Sequence, residues 1–157
     1  MNIWIQKHDF SADERDNVEI DDALASYKGF DWDAEILKEE EANAKGIECC
    51  PPGMGLVSDD ERILHLIPRS RGAEVHYRSV RKKKFLGLFE VSSEGTTFVI
   101  DFPDAEVKEA VRLHYEGENE LLIDFLNAFG KPFRKTKKLN NWTSQYSQLR
   151  RLRLLRV

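Results

Sequence analysis

Apolar residues follow mainly a helical period in the first third of the chain and a strand period from Met54 to about residue 102. The helical period returns from Asp104 to Gly130. Ile20, Leu24 and Tyr27 recur at i, i+4 and i+7, a spacing that places all three on one face of a short helix. Before this helix, the apolar residues at 3–5 predict a short strand. The polar residues that follow, up to Asn17, predict a connection without regular structure.

A second helix is predicted to begin at Asp31 or Asp33 and to end at Gly46. Either carboxylate can cap a helix N-terminus, where the helix dipole also favours negative charge. Glycine commonly follows the last residue of a helix. The side chains expected to be buried by this helix are Trp32, Ile36, Leu37 and Ala44.

From Met54 onward the alternation of apolar and polar residues has the period of two that is typical of strands. The predicted strands cover residues 55–58, 62–67, 73–79, 84–91 and 96–102. The links between them, such as "SDDE" and "SSEG", are short and rich in turn residues. Because short links join antiparallel neighbours, an antiparallel β-meander of four to five strands is expected.

Two amphipathic helices are predicted after the meander, from Asp104 to Gly117 and from Leu121 to Gly130. Their inward-facing residues are expected to pack on the sheet; they are Val107, Ala110, Val111, Tyr115, Leu121, Leu122, Phe125, Leu126 and Phe129. The predicted fold is therefore a single α+β domain over residues 1–130, with helices before and after the sheet packed on it. Residues 131–157 form a basic C-terminal tail that is predicted to be helical or partly disordered.

Charge is distributed very unevenly along the chain, although the net charge is only −4. Residues 1–61 contain 17 acidic and 5 basic side chains, whereas residues 131–157 contain 9 basic side chains and no acidic one. Separated blocks of charge are typical of interaction surfaces or tails. The alternative is that the two ends neutralise each other within the fold.

The segment "ECCPPGMG" at residues 48–55 is the part of the sequence that looks most like a chemical site. A metal site would need ligands at coordination spacing and a second pair of ligands elsewhere, and adjacent cysteines are too close for a relaxed disulfide. The two prolines exclude a helix. We therefore interpret the segment as a bend, with one cysteine facing the core, and predict no metal and no cofactor.

No catalytic motif stands out in the sequence. His65 and His76 lie on consecutive predicted strands, but a five-residue loop from Pro68 to Gly72 would pair His65 with Val75 and place the two rings on opposite faces of the sheet. The chain is therefore predicted not to be an enzyme. The alternative is a small enzyme that uses His65, His76 or Cys49 in an unrecognised pocket.

Acidic residues on the two N-terminal helices are the strongest candidates for a binding surface. Asp31, Glu35 and Glu39 recur at i, i+4 and i+8, and like charges at this spacing oppose helix formation. We predict that this face meets a cationic partner, a basic protein. The candidate partner-binding residues are Asp21, Asp22, Asp31, Glu35, Glu39 and Glu40.

Basic residues offer an alternative, a nucleic-acid- or ribosome-associated protein. The run at 81–84 is predicted to lie at the end of a hairpin, and the tail interleaves cations with Trp142 and Tyr146, which suits phosphate contacts and base stacking. The candidate nucleic-acid-binding residues are Arg81, Lys82, Lys83, Lys84, Lys135, Lys137, Lys138, Arg150, Arg151 and Arg153. The tail also suits an anionic membrane surface or docking on a second copy, which would make a homo-oligomer.

In size, acidity, single mixed domain and lack of catalytic motifs, the chain resembles bacterial immunity proteins that block the toxins of competing cells. The resemblance implies that acidic groups occlude the toxin by imitating its anionic substrate, with electrostatic steering of the encounter. Two adjacent cysteines, no apolar leader and no apolar run of about 20 residues indicate a cytoplasmic protein without a transmembrane segment. A charged fraction of 33% against 41% apolar residues agrees with a heavily solvated surface.

Overall fold

The structure is a computed structural model that describes residues 1–85 and 89–130, and between residues 80 and 93 it describes backbone alone. The elements are β1 (Asn2–Gln6), β2 (Ala12–Arg15), α1 (Ile20–Gly29), α2 (Trp32–Ala44), β3 (Gly53–Val57), β4 (Ile63–Arg69), β5 (Gly72–Phe85), β6 (Phe89–Phe102), α3 (Asp104–Tyr115) and α4 (Asn119–Phe129). These strands form one antiparallel sheet in the order β2-β1-β3-β4-β5-β6. The predicted α+β class is confirmed. The predicted tail, residues 131–157, lies outside the described residues.

Strand β2 was missed because nothing in its sequence alternates. The segment "ADER" was predicted to be part of a polar connection, but it pairs antiparallel with β1. All four of its side chains are exposed, so there is no buried face to impose the period of two. Strand β1 in turn pairs with β3, which makes β2 one edge of the sheet.

Strands β5 and β6 correct the prediction of three shorter strands over residues 73–102. Both are 14 residues long, and the links "RKK" and "SSEG" lie inside them rather than in turns. Strand β4 pairs with β5 only as far as Arg78. Beyond it, residues 79–85 pair with 89–95, and we call these two segments the two-stranded arm. The basic run 81–84 is therefore part of a strand.

The core lies between one face of the sheet and the helices α1, α3 and α4. A bulge in β6 between Val99 and Phe102 turns both of these side chains toward the helices. The largest fully buried side chains include Tyr77, Phe102, Leu56, Leu64, Leu66, Leu122 and Leu126. Leu121 and Phe129 were predicted to face inward, but they are exposed, because the buried stripe of α4 is centred on Leu122 and Leu126.

Helix α2 begins as predicted but buries a different face. The Asp31 carboxylate accepts a hydrogen bond from the Ala34 backbone N–H at 3.1 Å, which confirms the predicted N-cap. Leu37 and Ala44 were predicted to be buried and are exposed. The buried residues of α2 are instead Glu35 and Ala42, so an acidic residue occupies the inner face of this helix.

The cysteine segment is a bend, as predicted. Cys50 is buried and its thiol donates a hydrogen bond to the Lys7 carbonyl at 3.1 Å, while neither cysteine is in a disulfide. The two glycines that follow lie in β3 rather than in the bend. A β-carbon on Gly55 would lie 2.1 Å from the Trp4 ring, so this glycine makes room for the indole.

Candidate functional site

The strand register brings His65 and His76 together, contrary to the sequence prediction. The turn between β4 and β5 has two residues, Ser70 and Arg71, rather than five, so His65 pairs directly with His76. The pairing register therefore differs by one residue from the predicted one, in which His65 pairs with Val75. This shift places the His76 ring on the same face of the sheet as the His65 ring. The ring centroids are 5.7 Å apart, with the rings nearly perpendicular.

A chain of polar contacts continues from these rings across the sheet face opposite the core. His76 Nε2 is 2.7 Å from a Glu74 carboxylate oxygen, and the other oxygen of Glu74 is 3.2 Å from the Arg69 guanidinium. Arg69 also lies 3.7 Å from the Glu39 carboxylate. We call these five residues the histidine network. Glu39 is part of this network, so its carboxylate is already paired with the Arg69 guanidinium.

The pKa values of the histidine network reflect burial and pairing. The hydrogen bond from His76 lowers the pKa of Glu74 against the effect of burial. Burial raises the pKa of Glu39, and the nearby Arg69 offsets only part of this. Burial and the neighbouring His76 and Arg69 charges hold the pKa of His65 well below its usual value. His65 is therefore neutral at physiological pH, which suits packing rather than binding of an anion.

Among the described residues, the histidine network does not have the arrangement of a metal site. Within residues 1–85 and 89–130, no three side chains of the His, Cys, Asp or Glu type are arranged to hold a metal ion. Cys49, the third residue of the enzyme hypothesis, is half-buried, and its thiol donates to the Glu39 carbonyl at 3.7 Å. That the chain is not an enzyme stays a prediction.

The predicted acidic stripe on α2 is not an exposed surface, because its middle member is buried. Glu35 is 6% exposed and accepts hydrogen bonds from His8 Nδ1 at 2.7 Å and from Lys38 Nζ at 2.6 Å. Burial alone would raise the pKa of Glu35, but these bonds outweigh it and the pKa is lowered. Asp31 is exposed but is used as the helix cap, and Glu40 is exposed with no ion pair described for it.

Replacing Glu35 with alanine is expected to destabilise the fold by about 1–3 kcal/mol, the usual cost when a buried charged acceptor is removed. Glu40→Ala, an exposed change on the same helix, is expected to stay within about 0.5 kcal/mol of the parent. Urea unfolding followed by tryptophan fluorescence measures both. Equal stability of the two variants would contradict a structural role for Glu35.

An acidic groove lies between α1 and the β1–β2 hairpin. Its volume is about 850 Å³. Ile5, Val18, Ala25 and Phe30 form its apolar floor, in which Ile5 and Val18 are buried, Phe30 is half-buried and Ala25 is exposed. The exposed Asp13, Asp16 and Asp22 also line the groove. The lining residues are Ile5, Asp13, Arg15, Asp16, Asn17, Val18, Asp22, Ala25, Ser26, Gly29 and Phe30.

The charges around the acidic groove are poorly neutralised. Arg15 is the one basic side chain among the described lining residues, and its guanidinium donates to Ser26 Oγ at 2.8 Å. Lys7 approaches Asp13 only to 3.8 Å, in an exposed pair of a kind that contributes little. Two further exposed acids, Glu19 and Asp21, lie at the start of α1. The groove therefore presents a concentrated negative surface with an apolar floor.

Of the predicted partner-binding residues, Asp22 lines the acidic groove and Asp21 is exposed beside it. The four candidates on α2 lie elsewhere: Asp31 lines a second pocket at the start of that helix, and Glu35 and Glu39 are paired internally. Sequence reasoning missed Asp13 and Asp16. The signal that would have found them was the density of acids between residues 9 and 22, in a segment set aside as a connection.

The basic candidates lie largely beyond the described structure. Lys135, Lys137, Lys138, Arg150, Arg151 and Arg153 are outside the described residues. The backbone of 81–84 belongs to the two-stranded arm, where Arg81 pairs with Ser93 and Lys84 with Glu90. None of the helices within the described ranges is long and apolar enough to cross a bilayer.

No protein-family model, curated protein or solved structure matches this chain.

Proposed function

We propose that the chain is a non-enzymatic binding protein that receives a basic protein partner in the acidic groove. The observation that carries this proposal is the collection of Asp13, Asp16 and Asp22 around a groove with an apolar floor. Acidic residues from two separate elements, β2 with its following loop and α1, meet at this one place.

The arrangement favours a protein partner because it offers both kinds of contact that protein interfaces use. Buried apolar surface supplies most of the affinity at the centre of an interface, and charged residues at the rim set the rate of encounter and the choice of partner. The accessible apolar lining, chiefly Ala25 and Phe30, and the rim of aspartates fit this division. In the immunity-type form of the proposal, the partner is a basic toxin or effector that is blocked by occlusion, as the resemblance implies.

We expect the chain to lose its partner when the three aspartates around the acidic groove are neutralised. In the variant D13N/D16N/D22N, the affinity for a basic protein recovered from the source cells is expected to fall at least tenfold, because three attractive charges are removed. The matched control is D59N/E118Q/D124N, which removes three exposed acids on other elements. Calorimetric titration at two salt concentrations measures both.

Equal affinity of the two triple variants would contradict the groove as the binding surface. A partner that disappears after nuclease treatment would instead favour the nucleic-acid alternative through residues 131–157. Binding of that kind should also weaken steeply with salt, because it depends on phosphate contacts. Turnover that is abolished by changing His65 or His76 would favour the enzyme alternative.

A further inference from the structure

Among the described strands, none pairs with the outer edge of β2. Strand β2 pairs with β1 on one side, and no strand within residues 1–85 and 89–130 pairs with it on the other. Its four residues are all exposed. An edge strand presents a row of backbone N–H and C=O groups to which another extended chain can add.

Alternate side chains of β2 point toward the acidic groove, so the outer edge of β2 lies beside the groove. Asp13 is paired with Ile5 and Arg15 with Ile3, so both lie on the face of the sheet that α1 covers. Ala12 and Glu14 lie on the opposite face. A strand added to the edge of β2 would follow the same alternation, and every second side chain of it would stand over the groove.

We propose that an extended cationic segment of the partner pairs with β2 as a seventh strand and places alternate Lys or Arg side chains over the acidic groove. This proposal rests on the proposed function and specifies its binding mode. Backbone hydrogen bonds along β2 supply affinity, and the aspartates around the groove select the charge of the added strand.

The same charges argue against a second copy of β2 as the occupant. Each copy of β2 carries two acids, Asp13 and Glu14, against one base, Arg15, and Asp16 follows it. Edge-to-edge pairing of two copies would therefore bring together two strands that are each net negative, and like charges opposed across a strand pair are destabilising. Charged edge residues are also a usual defence against self-association of sheets. A cationic strand would instead be attracted to the acidic residues of β2, because the two strands would carry opposite charges.

The test uses the full chain and an eight-residue peptide of alternating lysine and valine. Two derivatives keep its charge but carry backbone N-methyl groups, one on the lysines and the other on the valines. In a strand, alternate residues direct their N–H groups to the same edge, so one derivative blocks the paired edge and the other leaves it open. Fluorescence anisotropy gives the affinities, and hydrogen exchange reports on the β2 amides.

We expect one derivative to bind at least tenfold more weakly than the parent peptide and the other to stay within about threefold of it. The β2 amides that point away from β1 are expected to become protected in the complex. Equal binding of all three peptides would overturn strand addition, while the aspartate variants would still decide the acidic groove on their own. Failure of the parent peptide to bind would also overturn it. So would protection, in the unbound chain, of those β2 amides that point away from β1, because the outer edge would then already be occupied by the chain itself or a second copy.

Discussion

Replacing Gly72 with alanine is expected to destabilise the protein by about 3–5 kcal/mol, among the largest effects of any single substitution. Gly72 follows the two-residue turn between β4 and β5 and has a φ of +88°, a conformation that costs other residues about 1–2 kcal/mol. In addition, a β-carbon on Gly72 would lie 2.3 Å from the carbonyl oxygen of Phe102. That oxygen is backbone, so relieving the contact requires β5 and β6 to separate.

Substitutions at two other glycines distinguish the cost of the positive φ from the cost of the contact with the Phe102 carbonyl. Gly46 has a φ of +68°, but a β-carbon added to it would have no neighbouring atom within 4 Å, whereas Gly29 has neither strain nor a close neighbour. Gly46→Ala is therefore expected to cost about 1 kcal/mol, and Gly29→Ala to be neutral or stabilising by up to about 1 kcal/mol. Chemical unfolding of the three variants gives the order. A Gly72→Ala variant no less stable than Gly46→Ala would contradict the packing of Gly72 against Phe102.

Stability is expected to fall by about 2 kcal/mol when the pH is lowered from 7 to 5, owing to the buried His114. This imidazole is fully buried in α3 and its Nε2 donates to the Leu56 carbonyl at 3.0 Å. Burial lowers the pKa of His114 to about 4, although the bond to Leu56 opposes the shift. In the unfolded chain the pKa is about 6.5. Between these values the unfolded state binds more protons, so stability is complete above about pH 6.5 and is lost as the pH falls toward about 4.

Urea unfolding at half-unit steps from pH 7 to pH 5 measures this slope, in a range where most carboxylates remain ionised. His65 contributes in the same direction, because its pKa is also lowered by burial. His114→Gln keeps a side-chain donor for the Leu56 carbonyl but does not titrate, so it is expected to remove a large part of the slope. An unchanged slope in this variant would show that His114 is not responsible.

The sequence predicted those elements whose apolar residues repeat with a clear period. Helices α1, α3 and α4 and the strands of the meander each bury one face against the common core, and burial imposes the period. The two-stranded arm has no third strand beside it within the described residues, so a charged run inside it looks like a turn. Strand β2 was hidden for a related reason, since none of its side chains is buried.

The candidate site was harder to predict because it depends on long-range register and pairing. Glu35 is buried because His8, 27 positions earlier, bonds to its carboxylate, and no local pattern reports such a partner. The meeting of His65 and His76 follows from a turn of two residues in place of five. The acidic groove needs β2 to lie beside α1, and sequence reasoning that treated β2 as a connection had no means of placing Asp13 near Asp22.

The position of β2 and β6 at opposite edges of the sheet has an electrical consequence. Five strand spacings separate these edges, a distance of about 24 Å. The acids of the β1–β2 hairpin lie at one edge, and the basic run 81–84 belongs to the strand pair at the other. The described part of the chain therefore separates its acidic hairpin from its basic run along the width of the sheet. We expect the protein to be retained at low salt on both anion- and cation-exchange resins near neutral pH.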